Sequence, residues 1–225
     1  MIQFDSVSKI YPFGNAALDS VSFAVERGEF VFLVGTSGAG KTTILKLILG
    51  ELYPTSGSVL VEDVDISGKR FKKLETLRRH IGVIFQDFKV LPDKNVFENI
   101  ALGLRILDMP FSKIKTEVRE ALALVGLHDK EQFFPVQLSA GELQRVAIAR
   151  AMTGDRHIIL ADEPTGNLDP KTTWDIMKIF KKVEKHKTII FATHNTDVVN
   201  TLKKRVITMK GGKLIKDNAK GGYDL

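Results

Sequence analysis

The sequence predicts an α/β fold with a mainly parallel core sheet, and three observations carry that expectation. Apolar runs such as Phe30-Val31-Phe32-Leu33-Val34 and Ile81-Gly82-Val83-Ile84-Phe85 show no polar alternation, as in strands buried on both faces of a parallel sheet. Segments with helical spacing alternate with these runs. A glycine-rich turn follows the first run and opens one of the helical segments.

Taken in order, strands are expected over Ile2 to Lys9, over Leu18 to Glu26 around alternating Val21, Phe23 and Val25, and over Phe30 to Val34. A helix follows from Thr42 to Leu49, then a turn at Tyr53-Pro54-Thr55-Ser56-Gly57 and strands from Ser58 to Val61 and Ile81 to Phe85. From about Val96 to Val125 the spacing becomes helical on either side of Met109-Pro110, in Ile100, Leu102, Leu104 and Leu107 and again in Ile114, Val118, Ala121, Leu122 and Val125. This predicts a helical insertion. Beyond it come a buried strand from His157 to Ala161, a helix from Pro170 to Lys185 and a buried strand from Thr188 to Thr193. Val206 to Lys210 and Lys213 to Ile215 flank Gly211-Gly212, a hairpin turn that needs positive φ at both central positions. The glycines and charges of Lys216 to Leu225 suggest a mobile end. No internal repeat, low-complexity linker or coiled coil is evident.

With 225 residues, 44% hydrophobic and 27% charged, the chain falls in the globular range and suffices for one domain. No apolar run reaches the roughly 18 residues that suggest a membrane span, and Met1 opens on Ile2-Gln3-Phe4-Asp5 without a basic-then-apolar leader. A cytosolic location is expected. The absence of cysteine excludes disulfides and thiolate metal sites and makes redox chemistry an unfavoured reading. A net charge of +6 leaves nucleic acid and the inner face of a bacterial membrane open as anionic partners. The basic groups Lys69-Arg70, Lys72-Lys73, Arg78-Arg79, Lys181-Lys182, Lys185-His186-Lys187 and Lys203-Lys204-Arg205 are read as solvated surface faces.

The chemistry is carried by Gly35-Thr36-Ser37-Gly38-Ala39-Gly40-Lys41-Thr42, placed between a buried strand and a helix. Glycines let the backbone wrap phosphates with its N–H groups inward. Lys41 sets a cation against the β- and γ-phosphates, and the Thr42 hydroxyl suits Mg2+. A plain strand-to-helix turn needs neither the paired glycines nor the lysine. A second element, His157-Ile158-Ile159-Leu160-Ala161, runs into Asp162-Glu163 and so delivers two carboxylates at the carboxyl end of a core strand. Asp162 suits Mg2+, through water, and Glu163 suits the acceptance of a proton from an attacking water.

At this point the chain resembles the ATP-binding cassette (ABC) family, since further elements occur in that family's order over nearly the whole length. The resemblance implies a P-loop NTPase of the ABC ATPase fold, with an antiparallel β subdomain and a helical subdomain over 87–153, the nucleotide-binding core being 1–86 and 154–225. It implies an ATP hydrolase with ATP and Mg2+, ATP held by Gly35 to Thr43. Gln86 matches the Q-loop, whose amide touches Mg2+ or the lytic water and passes its movement to a membrane partner. His194 matches the histidine that bonds the γ-phosphate, and Tyr11 resembles the aromatic that stacks on adenine, the preferred reading over the packing that an aromatic near a strand end often serves.

Leu138-Ser139-Ala140-Gly141-Glu142 matches the family's signature, and its S-x-x-E spacing is that of a helix capping box. In the family this helix start serves the nucleotide held by the opposite subunit, so a homodimer with ATP at its interface is implied. Asn167-Leu168-Asp169 resembles the D-loop at that interface, and Asp169 before Pro170 is also a good helix start. Two departures stand out: Ala140 where glycine is usual and Leu143 where glutamine is frequent, which suggests slow or partner-dependent hydrolysis.

The run Phe85 to Val96, above all Asp87-Phe88-Lys89 and Asp93-Lys94, is similar to the cell-division branch of the family. That branch implies peripheral attachment at the cytoplasmic face of the bacterial membrane, at the division site, and an integral membrane partner whose outer domain activates peptidoglycan hydrolases. Phe88, Val90 and Leu91 are candidates for the partner's groove or for core packing. Lipoprotein-releasing and macrolide-exporting branches are similar here. ABC ATPases acting on nucleic acid or ribosomes are a rival class, disfavoured by a single cassette with neither coiled coil nor cysteine; no nucleic-acid partner is expected. A small-molecule kinase shares the phosphate loop but has no use for Ser139 to Glu142 or His194.

Overall fold

The computed structural model describes residues 2–12, 14–68 and 74–222. The basic groups Lys69-Arg70 and Lys72-Lys73 and the final residues 223–225 lie outside the described residues. Two sheets organise the chain. The smaller is antiparallel, in the order β2 (Ala16–Val25), β1 (Ile2–Ile10), β4 (Ser56–Val61), β5 (Val64–Asp65). The larger has six strands in the order β10 (Lys213–Asn218), β9 (Arg205–Lys210), β3 (Phe30–Val34), β8 (Thr188–Thr193), β7 (Ile158–Asp162), β6 (Ile81–Ile84). From β9 to β6 neighbouring strands run parallel, and only β10 is antiparallel to its neighbour.

Strand period 2 explains why the runs read as continuously apolar. Phe30, Phe32 and Val34 enter one core while Val31 and Leu33 enter the other, and β8 divides Ile189 and Phe191 from Ile190 and Ala192 in the same way. On the first face lie α3 (Val96–Ile106), α4 (Phe111–Val125), α5 (Ala140–Met152) and α6 (Pro170–Val183), around an aromatic group in which Phe191 stands 5.4 Å from Phe32 and 5.1 Å from Phe180, both edge to face. On the second face α1 (Lys41–Ile48) packs with the antiparallel sheet. No helix among the described residues is long and apolar enough to cross a membrane.

The helical insertion is built as its pattern predicts, α3 and α4 meeting around Met109-Pro110, with Asn95 and Glu98 forming a capping box at the start of α3. Gly211 and Gly212 take φ of 54° and 79° in the β9–β10 turn, as the hairpin requires. Two short helices, α2 (Leu74–Arg79) and α7 (Thr196–Leu202), carry too few turns for periodicity to reveal them. The expected mobile end is corrected in part. β10 continues through Lys216 to Asn218, because Arg205 donates to both Asp217 oxygens at 2.8 and 2.6 Å and ties the strand down.

The reading of every basic group as a solvated face also fails at particular residues. Arg205 is 18% exposed and further donates to Ala24 O and Glu29, Arg78 donates to Leu49 O and Gly50 O at the end of α1, and Lys187 donates to Arg156 O. Backbone carbonyls brought close by tertiary folding recruit these cations, and no local charge pattern announces that.

The floor of the sheet is close-packed where α5 ends. A methyl group at Gly82 on β6 would sit 2.1 Å from Ala151 O, so α5 and β6 approach to a distance only glycine permits. Gly82→Ala is expected to destabilise the fold by about 2 kcal/mol and lower the melting temperature by roughly 5 °C, checked by thermal melts.

Candidate functional site

The phosphate loop is built by close backbone approach. Gly35 (φ 150°) follows β3, and a Cβ there would lie 2.3 Å from Met209 O on the adjacent β9; Gly40 (φ 105°) caps α1, where a Cβ would lie 2.7 Å from Ala17 O. Both positions therefore demand glycine on conformational and steric grounds. Among the described residues no side chain caps α1, so its first N–H groups and the positive end of its dipole face the space beside Lys41. The Lys41 side chain is buried, 7% of the residue being exposed. Its Nζ donates to Gly35 O at 2.7 Å and Thr36 O at 3.3 Å and pairs with Glu163 Oε1 at 3.4 Å.

Asp162 ends β7 and Glu163 follows it, and the parallel pairing of β7 with β8 sets Asp162 opposite Ala192. Thr42 Oγ1 donates to Asp162 Oδ2 at 2.9 Å. Burial pushes the Asp162 carboxyl above its ordinary range, with the Thr42 hydrogen bond opposing the shift and the charge of Glu163 adding to it. Glu163 takes φ 48°, a left-handed conformation rare for its type, and its N–H donates to Ala192 O. Its Oε2 accepts from the His194 N–H at 3.3 Å and lies 3.0 Å from His194 Nδ1. The carboxylate is thus held between a lysine on one oxygen and a histidine on the other.

Gln86 stands exposed two residues past β6, beside Gly166. Tyr11 follows β1, its hydroxyl 3.4 Å from Thr43 Oγ1 and Lys9 Nζ 5.9 Å from its ring centre. Together with the phosphate loop from Thr36 to Thr43 and the two carboxylates, Gln86, His194 and Tyr11 line one cleft of about 740 Å3. That volume suits a nucleotide-sized ligand.

The signature and Asp169 do not line this cleft. Ser139 accepts from Glu142 N at 3.3 Å and donates to Glu142 Oε2 at 2.8 Å, while Ser139 N donates to the same oxygen at 2.8 Å: a capping box at the start of α5. These bonds from the Ser139 backbone and side chain hold the Glu142 carboxyl below its usual range. Ser139 and Ala140 are exposed. Asp169 caps α6, accepting from Thr172 N at 3.0 Å and from Thr172 Oγ1, which holds its carboxyl below the usual range. Gly141 lies so close to Thr172 that a Cβ would meet its methyl group at 2.6 Å, which brings the two exposed helix starts side by side.

Three braces escaped the sequence reading. Buried Gln144 on α5 donates to Pro164 O at 2.7 Å and so connects the signature helix to the residue after Glu163. Arg150 donates to Lys89 O and Phe88 O, holding the positive-φ turn after Gln86, and buried Asn99 bonds to the carbonyls of Leu91, Lys94 and Asn95. The one available signal was polar side chains at helix positions flanked by apolar residues that share a buried face. Phe88, Val90 and Leu91 are each half-buried, and Val90 packs on the helical-side core.

Comparison with known proteins agrees with this geometry. A family model described as ABC transporter matches residues 18–166, and the chain belongs to that family. It is an ATP hydrolase of the ABC type: a bacterial ABC transporter cassette solved as a dimer aligns with TM-score 0.89 and 35% identity over 99% of this chain and all of that one. The same cassette in a dimeric post-hydrolysis state bound to ADP and Pi aligns with TM-score 0.89 at 34% identity, with the same coverage. Within the family, the cell division ATP-binding protein FtsE of Bacillus subtilis is 46% identical over 224 residues, 99% of this chain and 98% of the relative. The methionine import ATP-binding protein MetN 1 of Bacillus thuringiensis subsp. konkukian is 42% identical over 222 residues, 96% of this chain but 66% of the relative.

The raised Asp162 carboxyl sets a pH dependence. With its folded pKa above the unfolded value, its contribution to stability is full below the ordinary carboxylate range and is lost as pH rises through the folded pKa. In the absence of nucleotide and divalent cations, Asp162→Asn is expected to melt above the parent at pH 7, the gap closing as pH falls toward about 4. Melting curves over that range check this.

Proposed function

We propose that this chain is the ATP-binding and ATP-hydrolysing subunit of a membrane complex in bacterial cell division. On this reading, ATP-driven homodimerisation is coupled to an integral membrane protein resembling FtsX that regulates peptidoglycan hydrolysis. The chain works at the cytoplasmic face of the membrane, at the division site. The observation that carries the ATPase part is the single cleft uniting the phosphate loop, both carboxylates, Gln86 and His194 while the signature helix start stays outside it. The cell-division part rests on similarity to FtsE over essentially full length, whereas the methionine import ATP-binding protein extends well beyond this chain.

The donors around Thr42 and Asp162 fit Mg2+. Two hard oxygens lie 2.9 Å apart, and a buried carboxylate disfavoured in its charged form gains from a cation. Thr42, Asp162 through water, and Gln86 would hold the ion, which when bound neutralises phosphate charge. Lys41 is held by two carbonyls and Glu163, and a γ-phosphate would compete for the same ammonium. Once Lys41 turns to phosphate, Glu163 Oε1 is free to take the proton of the attacking water while Oε2 stays on His194. The water oxygen bonds to the γ-phosphorus as its bond to the bridging oxygen breaks, and ADP departs with that electron pair.

An uncapped phosphate-loop helix and a signature helix start on separate surfaces call for a second copy to complete the site. Ser139, Ala140, Gly141 and Glu142 of one subunit would face the nucleotide of the other, with Asp169 beside them. The Ser139 hydroxyl has one proton and gives it to Glu142, so donation to a γ-phosphate requires that bond to open. Ala140 adds a methyl group there and slows turnover. The helical subdomain, 87–153, moves with Gln86 and transmits the closure, and Tyr11 stacks on the adenine.

Glu163→Gln is expected to lower kcat by about 10²–10⁴-fold and leave the ATP dissociation constant within roughly threefold, measured by phosphate release and nucleotide titration. Equal rates for variant and parent would remove Glu163 as the base. Mixing inactive Lys41→Ala with inactive Ser139→Arg protein should restore about one quarter of parental activity, since half the dimers are mixed and each then holds one intact site. No recovery would contradict a site shared between subunits.

The partner is tested by purifying tagged Glu163→Gln protein with ATP from solubilised membranes of its native cell and identifying what accompanies it by mass spectrometry. An FtsX-like protein supports the division role, a lipoprotein or drug exporter overturns it within the family, and ribosomes or DNA overturn the class. Charge reversal at the exposed Asp87–Lys89 pair, 2.6 Å apart beside Gln86, is expected to reduce membrane recruitment several-fold without loss of ATP binding.

A further inference from the structure

The opposite end of the large sheet holds ligating side chains for which the ATPase reading has no use. His80 immediately precedes β6 and His157 immediately precedes β7, and the parallel pairing of Ile81 with Ile158 sets both imidazoles at the amino edge of the sheet. His80 Nδ1 lies 3.2 Å from His157 Nε2, with ring centres 5.1 Å apart. Asp155 places Oδ2 4.0 Å from His80 Nδ1 and Oδ1 3.7 Å from His157 Nδ1. One ligand atom from each of the three residues lies within 4.8 Å of the other two.

We infer that His80, Asp155 and His157 form a binding site for a divalent transition-metal ion of the zinc class, distinct from the magnesium and nucleotide site. Two neutral imidazoles and one carboxylate are a borderline donor set that suits Zn2+ and disfavours Mg2+, which wants oxygens. Ligand atoms about 2.0–2.1 Å from a tetrahedral ion stand roughly 3.3 Å apart, close to the spacing of the two histidine nitrogens. The Asp155 side chain, 81% exposed, is free to turn the remaining distance, and water completes the shell. The histidine backbones need no rearrangement: His157 N and Ile158 N both donate to His80 O, at 2.9 and 3.1 Å, and Thr188 N donates to His157 O at 2.8 Å.

Two cations flank the cluster and limit its affinity to the micromolar range. Both are engaged by carbonyls, Lys187 Nζ by Arg156 O and Arg156 Nη1 by Ile81 O, and burial holds the Lys187 amine below its usual range. Since β6 is the outer strand of the sheet among the described residues and pairs with β7, an ion bound across His80 and His157 staples that edge. The same two strands lead to Gln86 and Glu163 beyond their other ends, about 20 Å away at roughly 3.3 Å per residue, so the two sites share no ligand.

The test is titration of ZnCl2 into tag-free, chelator-treated, nucleotide-free full-length protein, by calorimetry and thermal melts, with Co2+ absorption reporting coordination. The expected result is one equivalent bound with micromolar affinity and a melting temperature raised by roughly 5 °C at hundredfold excess over Kd. His80→Gln and His157→Gln should each abolish binding and Asp155→Asn weaken it about tenfold. His128→Gln, His186→Gln and millimolar Mg2+ should change nothing. Zn2+ binding that survives His80→Gln/His157→Gln, or no saturable binding below about 100 μM, overturns the site. NMR of the unaltered protein does not depend on any variant folding: Zn2+ should shift the imidazole signals of His80 and His157, and shifts confined to the other histidines overturn the assignment.

Discussion

The structure depends on the parallel register of four adjacent strands. β3, β8, β7 and β6 lie side by side and point the same way, with Val34 opposite Thr193, Asp162 opposite Ala192 and Ile84 opposite Ala161. The phosphate loop, His194, the carboxylate pair and Gln86 each begin where one of these strands stops. Residues separated by more than a hundred positions in the chain therefore converge on one rim, as expected of ligand sites outside the carboxyl ends of open α/β sheets. Had any strand been antiparallel, its motif would project from the opposite edge.

On that rim, electrostatics ties the candidate site's charged groups to one another. Buried Lys41 takes two carbonyls and Glu163 as partners, and Glu163 in turn holds His194. Asp162 accepts from the Thr42 hydroxyl, and burial keeps it disfavoured as an anion. Phosphate and a hard cation would relieve both conditions together. The left-handed backbone of Glu163, anchored through Ala192 O and followed by a carbonyl that Gln144 grips, keeps the carboxylate where Lys41 and His194 meet.

Gln144 also shows how distant surfaces are joined. It sits on α5, whose first turn is the signature, and its bond to Pro164 O reaches the loop that leads to Asp169. Gly141 against Thr172 closes the same circuit from the other side. The helix starts at Ser139 and Asp169 are thus braced against the loop that carries Glu163.

Strand positions, the helical insertion, the phosphate loop, the capping box at Ser139 and the cap at Asp169 were legible in the sequence because each depends on spacing within one or two turns of chain. Motif order even identified the family. The rest was decided by contacts between segments far apart in sequence. Gly35 and Gly82 are needed because β9 and α5 come within a Cβ of them; Arg205 and Lys187 leave the solvent because carbonyls arrive beside them; and Lys41 meets Glu163 across 122 positions. No local pattern encodes such approaches, since a side chain's partner is set by sheet order and helix packing. The pairing of His80 with His157 belongs to the same class: each is an unremarkable residue before a strand, and only the neighbouring of β6 and β7 makes them a pair.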